Sequence, residues 1–240
     1  MHSPFVFRFI LQVLNNRSQF YSPASIKSLR KRLLKDDRTL EILDLGAGSR
    51  VRANKTTTVR QLMNTAVKPE KYSELLYRLV AFYQPQNIVE LGTSLGVTTA
   101  SLAAANPAAQ VITIEGSPQV AGVAAEVFSG LNLQNIKQEV GDFDELLPSI
   151  IGHLPRIDLA YVDGNHRYQP TMDYFKLFLS KHHNDTIMVF DDIHWSPEME
   201  QAWREIQQHE AVRCTIDIFF LGFVFFRNEF KAKQHFTIRF

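Results

Sequence analysis

A chain of 240 residues that is 45% hydrophobic and 21% charged has an ordinary globular composition and enough length to bury one substantial core. Its formal charge of +1 provides no overall field of the kind that holds nucleic acid through many phosphate contacts. The single cysteine, Cys214, excludes an intramolecular disulfide, a thiolate zinc cluster and a redox pair, and fits a reducing cytoplasm.

The opening MHSPFVFRFILQVLNN is apolar, but it lacks a basic start and a small-residue cleavage site, and Arg8 and Gln12 interrupt it. It reads as folded structure, not as a signal. Residues 1–70 are expected to form an N-terminal extension that serves as a lid or supplies substrate or oligomer contacts, a homodimer included. Within it, IKSLRKRLL places Ile26, Leu29 and Leu33 on one side of a helix, with Lys27, Arg30, Lys31, Arg32 and Lys35 around them. A solvated basic face is the preferred reading over a membrane or anionic partner. DLGAGSR (44–50) is either a structural turn or a loop over a ligand site, and its two glycines, serine and arginine favour the loop. The polar stretch 50–58 reads as a flexible spot.

From Tyr72 onward, short β-type runs alternate with segments of helical period, the pattern that yields a parallel sheet covered by helices. Strands are expected at 87–91, 110–114, 135–140, 157–162 and 186–190. VTTASLAAAN separates the first two. Ser117 and Pro118 open a helix with Val120, Ala124, Val127 and Leu131 on one face, and Ser196 and Pro197 open another with Met199, Trp203 and Ile206 at core spacing. VRCTIDIFF and GFVFFR then follow, joined by a tight turn expected at Leu221 and Gly222, so these two runs are antiparallel. The most apolar stretch, 218–226, is far shorter than the roughly 20 residues a spanning helix needs, and no membrane partner is expected.

Two glycine-rich segments compete for the role of cofactor loop. A nucleotide-type site needs glycines for close backbone approach, a following helix with free N–H groups, and an acid about 20 residues on for ribose hydroxyls. ELGTSLG (90–96) meets all three, because the next strand delivers Glu115 at its end, whereas DLGAGSR is followed by no acid-tipped strand. An ordinary strand-to-helix turn is the alternative for ELGTSLG. Glu90 at the loop entrance suits the ammonium of S-adenosylmethionine (SAM) and would repel the pyrophosphate of NAD.

ELGTSLGVTT, VITIEGSP, VGDFDELLP, IDLAYVDGNH and MVFDDIHW, in that order, resemble the motifs of class I SAM-dependent methyltransferases, and among them the catechol O-methyltransferase-like and bacterial small-molecule O-methyltransferase group. The resemblance covers roughly residues 68–227. It implies a Rossmann-like, mostly parallel sheet with an antiparallel C-terminal hairpin and helices on both faces, a SAM-binding domain over 71–240, and O-methylation of a hydroxylated small molecule. Carried over by position, Glu90 and Gly92 line the methionine part of SAM, Thr98 binds its carboxylate, Glu115 holds the ribose, and Asp142 and Phe143 lie beside the adenine. For Asp142, a simple polar turn is an equal reading.

Asp163 is expected just beyond the fourth strand, and Asp191 and Asp192 just beyond the fifth, where ligands bind in open parallel sheets. Three converging carboxylates call for protonation or a hard cation such as magnesium. The resembling family holds a metal with an Asp and an Asp-Asn pair at these places, and this chain has Asp192 where the family has Asn. The alternative is that these acids cap helices. His166, three positions after Asp163, stands where the catechol enzymes have a lysine base, and His194 and Trp195 are expected to shape the substrate pocket. The rival readings are an NAD-dependent oxidoreductase and a SAM-fold protein that binds without turnover.

Overall fold

A computed structural model of the chain describes residues 3–16, 23–43 and 54–240. DLGAGSR and the start of the expected flexible spot lie outside the described residues. In chain order the first elements are α1 (Pro4–Phe9), a π-helical turn (Ile10–Leu14), α2 (Ala24–Leu33), β1 (Thr39–Leu43), β2 (Asn54–Thr58), α3 (Val59–Thr65) and α4 (Glu70–Tyr83). The alternating portion follows as β3 (Asn87–Leu91), α5 (Val97–Ala105), β4 (Gln110–Glu115), α6 (Pro118–Gly130), β5 (Ile136–Val140), α7 (Phe143–His153) and β6 (Leu159–Val162). It ends with α8 (Tyr168–Leu179), β7 (Ile187–Asp191), α9 (Pro197–Gln208), β8 (Cys214–Asp217), β9 (Leu221–Phe225) and β10 (Gln234–Thr237).

β1 and β2 form an antiparallel pair, β4 pairs with β5, and the other strands lie in the order β10-β8-β9-β7-β6-β3. The chain divides into two compact units. One contains the described residues up to Gln86 together with Thr93–Gly141, and the other contains Asn87–Gly92 and Asp142–Phe240.

In the first unit β4 and β5 pair in parallel. Its core joins Ile26, Leu29 and Leu33 of α2, Leu40 of β1, and Val59, Leu62 and Met63 of α3 with Leu95, with Val97 and Ala100 of α5, and with the apolar face of α6. Burying each such side chain contributes about 1.5–3 kcal/mol, so the N-terminal segments share a core with the crossover helices. The amphipathic reading of IKSLRKRLL holds, and one of its cations, Arg30, turns inward. Lys27 pairs with Glu74 at 2.8 Å and Glu70 at 3.2 Å, while the buried Arg30 donates to the Ser73 hydroxyl and the Lys68 carbonyl. Lys31, Arg32 and Lys35 remain exposed.

Part of the expected flexible spot is a strand: Asn54–Thr58 pairs in full with Thr39–Leu43. Three successive threonines favour extended backbone, and Thr58 closes a capping box with Gln61 that starts α3. Polarity alone was the wrong guide there.

In the second unit β3, β6, β7, β8 and β10 run parallel, and β9 runs against its neighbours β7 and β8. The antiparallel hairpin is present, but its turn is not at Leu221 and Gly222, which are paired in β9 opposite Asp191 and Phe190. The turn falls at 218–220, where Phe219 takes a left-handed φ of +77°. Gly222 is needed for packing: a Cβ there would lie 2.7 Å from the Trp203 ring of α9. The sheet also gains β10, for which the sequence carried no strong alternation.

Candidate functional site

In the first unit, the glycine-rich turn is tied to the end of β4. Glu115 accepts from the Ser94 N–H through Oε2 at 2.8 Å and from the Ser117 N–H through Oε1 at 3.0 Å. Thr93 bonds Thr113 through their hydroxyls at 2.6 Å, and its N–H reaches the Ile114 carbonyl. Ser94 at φ +47° and Gly96 at φ +75° bend the backbone into α5. A Cβ on Gly96 would lie 2.7 Å from the Phe128 ring, so the glycine lets α5 and α6 pack closely. Thr98, in the first turn of α5, is buried at the end of a helix whose initial N–H groups have no partner within the helix.

Burial pushes the Glu115 carboxyl above its ordinary value, and the N–H groups of Ser117, Ser94 and Gly116 pull it partly back. An ionised carboxylate has about four acceptor sites, so after these three N–H groups it can still receive a ribose hydroxyl.

In the second unit, the acids stand at the ends of adjacent parallel strands β6 and β7. Tyr161 and Asp163 share one side of their strand by the two-residue repeat, and Tyr161 lies in register with the fully buried Glu90 of β3. The Tyr161 hydroxyl stands 3.1 Å from Asp163 Oδ2 and 3.0 Å from Asp191 Oδ2. The other Asp191 oxygen accepts the Asp192 N–H at 2.8 Å, and that N–H also points at the Phe220 carbonyl. Asp192 itself takes a left-handed φ of +51°.

His166 Nε2 lies 3.6 Å from Asp163 Oδ1. Its loop is braced by Asn165, at φ +58°, which donates to the Tyr174 hydroxyl; Tyr174 in turn donates to Asp144. Gly164 lies close to Phe143, where a Cβ would be 2.7 Å from the ring, and Phe143 meets Tyr174 edge-on at 6.1 Å between ring centres. Asp142 is the N-cap of α7 and accepts the Asp144 N–H at 2.8 Å, which is the polar-turn reading of that residue. His194 is held by Asp217 at 2.8 Å and Glu200 at 3.6 Å, its ring against Phe219, while Trp195 is 72% exposed.

The expected three-carboxylate metal centre does not form as expected. Among the described residues, no group of three or more His, Cys, Asp or Glu is arranged to hold a metal ion. Asp163 and Asp191 converge, but on a phenol hydroxyl, and Asp191 spends its second oxygen on the backbone of Asp192. The residue that sequence reasoning missed is Tyr161. Its signal was a hydroxyl in an otherwise aliphatic strand, two positions before an acid.

Gly92 at φ +95° has no room for a side chain because the Asp163 carbonyl fills that space, and Glu115 is fixed and partly exposed at a strand end. Parallel strands with one reversed strand near the C-terminal end, covered by helices, are a Rossmann-like architecture. Residues 89–193 match the family model described as a methyltransferase domain.

Two curated relatives are similar over shorter stretches. They are "Uncharacterized protein R132" of Acanthamoeba polyphaga mimivirus, 36% identical over 32% of this chain and 36% of that protein, and the tRNA (guanine-N(7)-)-methyltransferase of Mycoplasma mobile, 33% identical over 39% and 51%. The matches thus span about a third and about half of those relatives' lengths. Among solved structures, the O-methyltransferase TomG from Streptomyces achromogenes, involved in tomaymycin synthesis and solved with SAM, has the same fold. Its TM-score is 0.66 at 16% identity, over 91% of this chain and 96% of that one. Among the described residues, no helix is long and apolar enough to cross a membrane.

Proposed function

We propose that the chain transfers a methyl group from SAM to a hydroxyl of a small molecule. The observation that carries this reading is the clamp of Glu115 on the backbone of Ser94 and Ser117, within the stretch that matches the methyltransferase domain. It fixes a glycine turn and a helix start against an acid suited to ribose hydroxyls.

In this reading Glu115 accepts the ribose hydroxyls and the α5 N-terminus with Thr98 takes the carboxylate of SAM. Glu90 and Gly92 serve its methionine part, and Phe143 lies beside the adenine. SAM supplies a methyl group activated on a sulfonium. His166 takes the proton from the acceptor hydroxyl, and Asp163 at 3.6 Å favours the ring that has received it. Positioning of the acceptor oxygen supplies much of the rate. The reading contains no metal step, because the carboxylates are not gathered as ligands.

The acceptor is a small molecule, since a net charge of +1 gives no field for a polyanion. The first 70 residues serve as lid or acceptor contacts, and the setting is cytoplasmic. The test is calorimetry with SAH and with NAD, followed by an SAH-release screen over hydroxylated small molecules. SAH is expected to bind saturably and NAD not at all; the reverse result would establish the oxidoreductase reading, and SAH binding without any turnover across the screen the non-catalytic one.

A further inference from the structure

Two carboxylates at neighbouring strand ends repel each other unless a cation or a shared proton lies between them. Here a hydroxyl of the chain itself lies within reach of both. The Tyr161 ring is fully buried, and its hydroxyl is within hydrogen-bond distance of Oδ2 of both Asp163 and Asp191, at 3.1 and 3.0 Å.

We propose that the Tyr161 hydroxyl occupies the place a divalent cation would take between Asp163 and Asp191, so that the pair is held by a proton and binds no divalent ion.

Magnesium sits about 2.0–2.1 Å from its oxygen ligands and calcium about 2.3–2.6 Å. On the side where the phenol stands, an ion that near to both Oδ2 atoms falls against its oxygen, and making room there means moving a fully buried ring. Of the other two oxygens, Asp191 Oδ1 accepts the Asp192 N–H and Asp163 Oδ1 lies 3.6 Å from His166 Nε2.

Manganese(II) titration read by calorimetry and by the loss of the free-ion paramagnetic resonance signal tests this without any assay of turnover, so its outcome is separate from that of the methyl-transfer reading. The wild-type chain is expected to take up no saturable Mn2+ at millimolar concentration. Tyr161→Phe removes the hydroxyl, leaves the acids facing each other, and is expected to gain a single Mn2+ site that is lost again on adding Asp191→Asn. Saturable uptake by the wild type that Asp191→Asn abolishes overturns the proposal, as does a folded Tyr161→Phe that gains no site. If Tyr161→Phe does not fold, the wild-type and Asp191→Asn titrations decide alone.

Discussion

The carbonyl oxygen of Asp163 lies where a side chain on Gly92 would begin, 2.0 Å from the position of a Cβ. The glycine turn after β3 and the acid at the end of β6 are thus in direct backbone contact, and the Asp163 N–H bonds the Leu91 carbonyl at 2.9 Å.

Gly92→Ala is therefore expected to cost at least about 2 kcal/mol, since it combines a left-handed φ of +95° with a clash against backbone. Chemical denaturation compared with the wild type measures it. A loss within a few tenths of a kcal/mol would mean that the two strand ends separate freely.

Glu115 should make SAH binding depend on pH. Burial raises its folded pKa, so its contribution to stability is full below the unfolded value and is lost as pH rises through the folded one. Ribose hydroxyls are bound best by the charged form, so SAH affinity should rise as pH passes through the raised folded value. Glu115→Gln should flatten the profile, and Glu115→Ala should weaken binding by about 1–3 kcal/mol. Unchanged SAH affinity in folded Glu115→Ala would remove the residue from the site.

For His166, replacement by Ala is expected to lower turnover by about 10²- to 10⁴-fold while leaving SAH affinity nearly unchanged. Parallel single-turnover kinetics and SAH calorimetry separate the two effects. Wild-type turnover in the variant would assign proton removal to water.

Cys214 lies fully buried in β8, and burial pushes its thiol up to about 12. The native chain is expected to resist alkylation at pH 8 and to react only after unfolding, because the thiolate is the reactive form. Stoichiometric labelling of the folded chain, read by mass spectrometry, would contradict the burial.

The sequence by itself determined the succession of the five parallel strands after Tyr72, of the helices that open at Val97, Pro118 and Pro197, and of the final antiparallel pair. Hydrophobic period and the Ser-Pro helix starts are local signals, and the strand at Asn87–Leu91 lies where they place it. It also placed Glu115 after a strand and Asp163 and Asp191 at strand ends, because spacing along an extended chain is fixed. What the tertiary structure decided is what meets whom. Gly222 read as a turn glycine because nothing local marks the Trp203 ring above it. The threonines of β2 looked loose until β1 supplied a partner. The fate of the acidic cluster turned on Tyr161: charge and spacing predict that Asp163 and Asp191 converge, but only the parallel register of β6 with β7 sets one phenol hydroxyl between them. A carboxylate pair takes whatever donor the packing brings nearest, and packing is a property of the assembled sheet, not of any one strand.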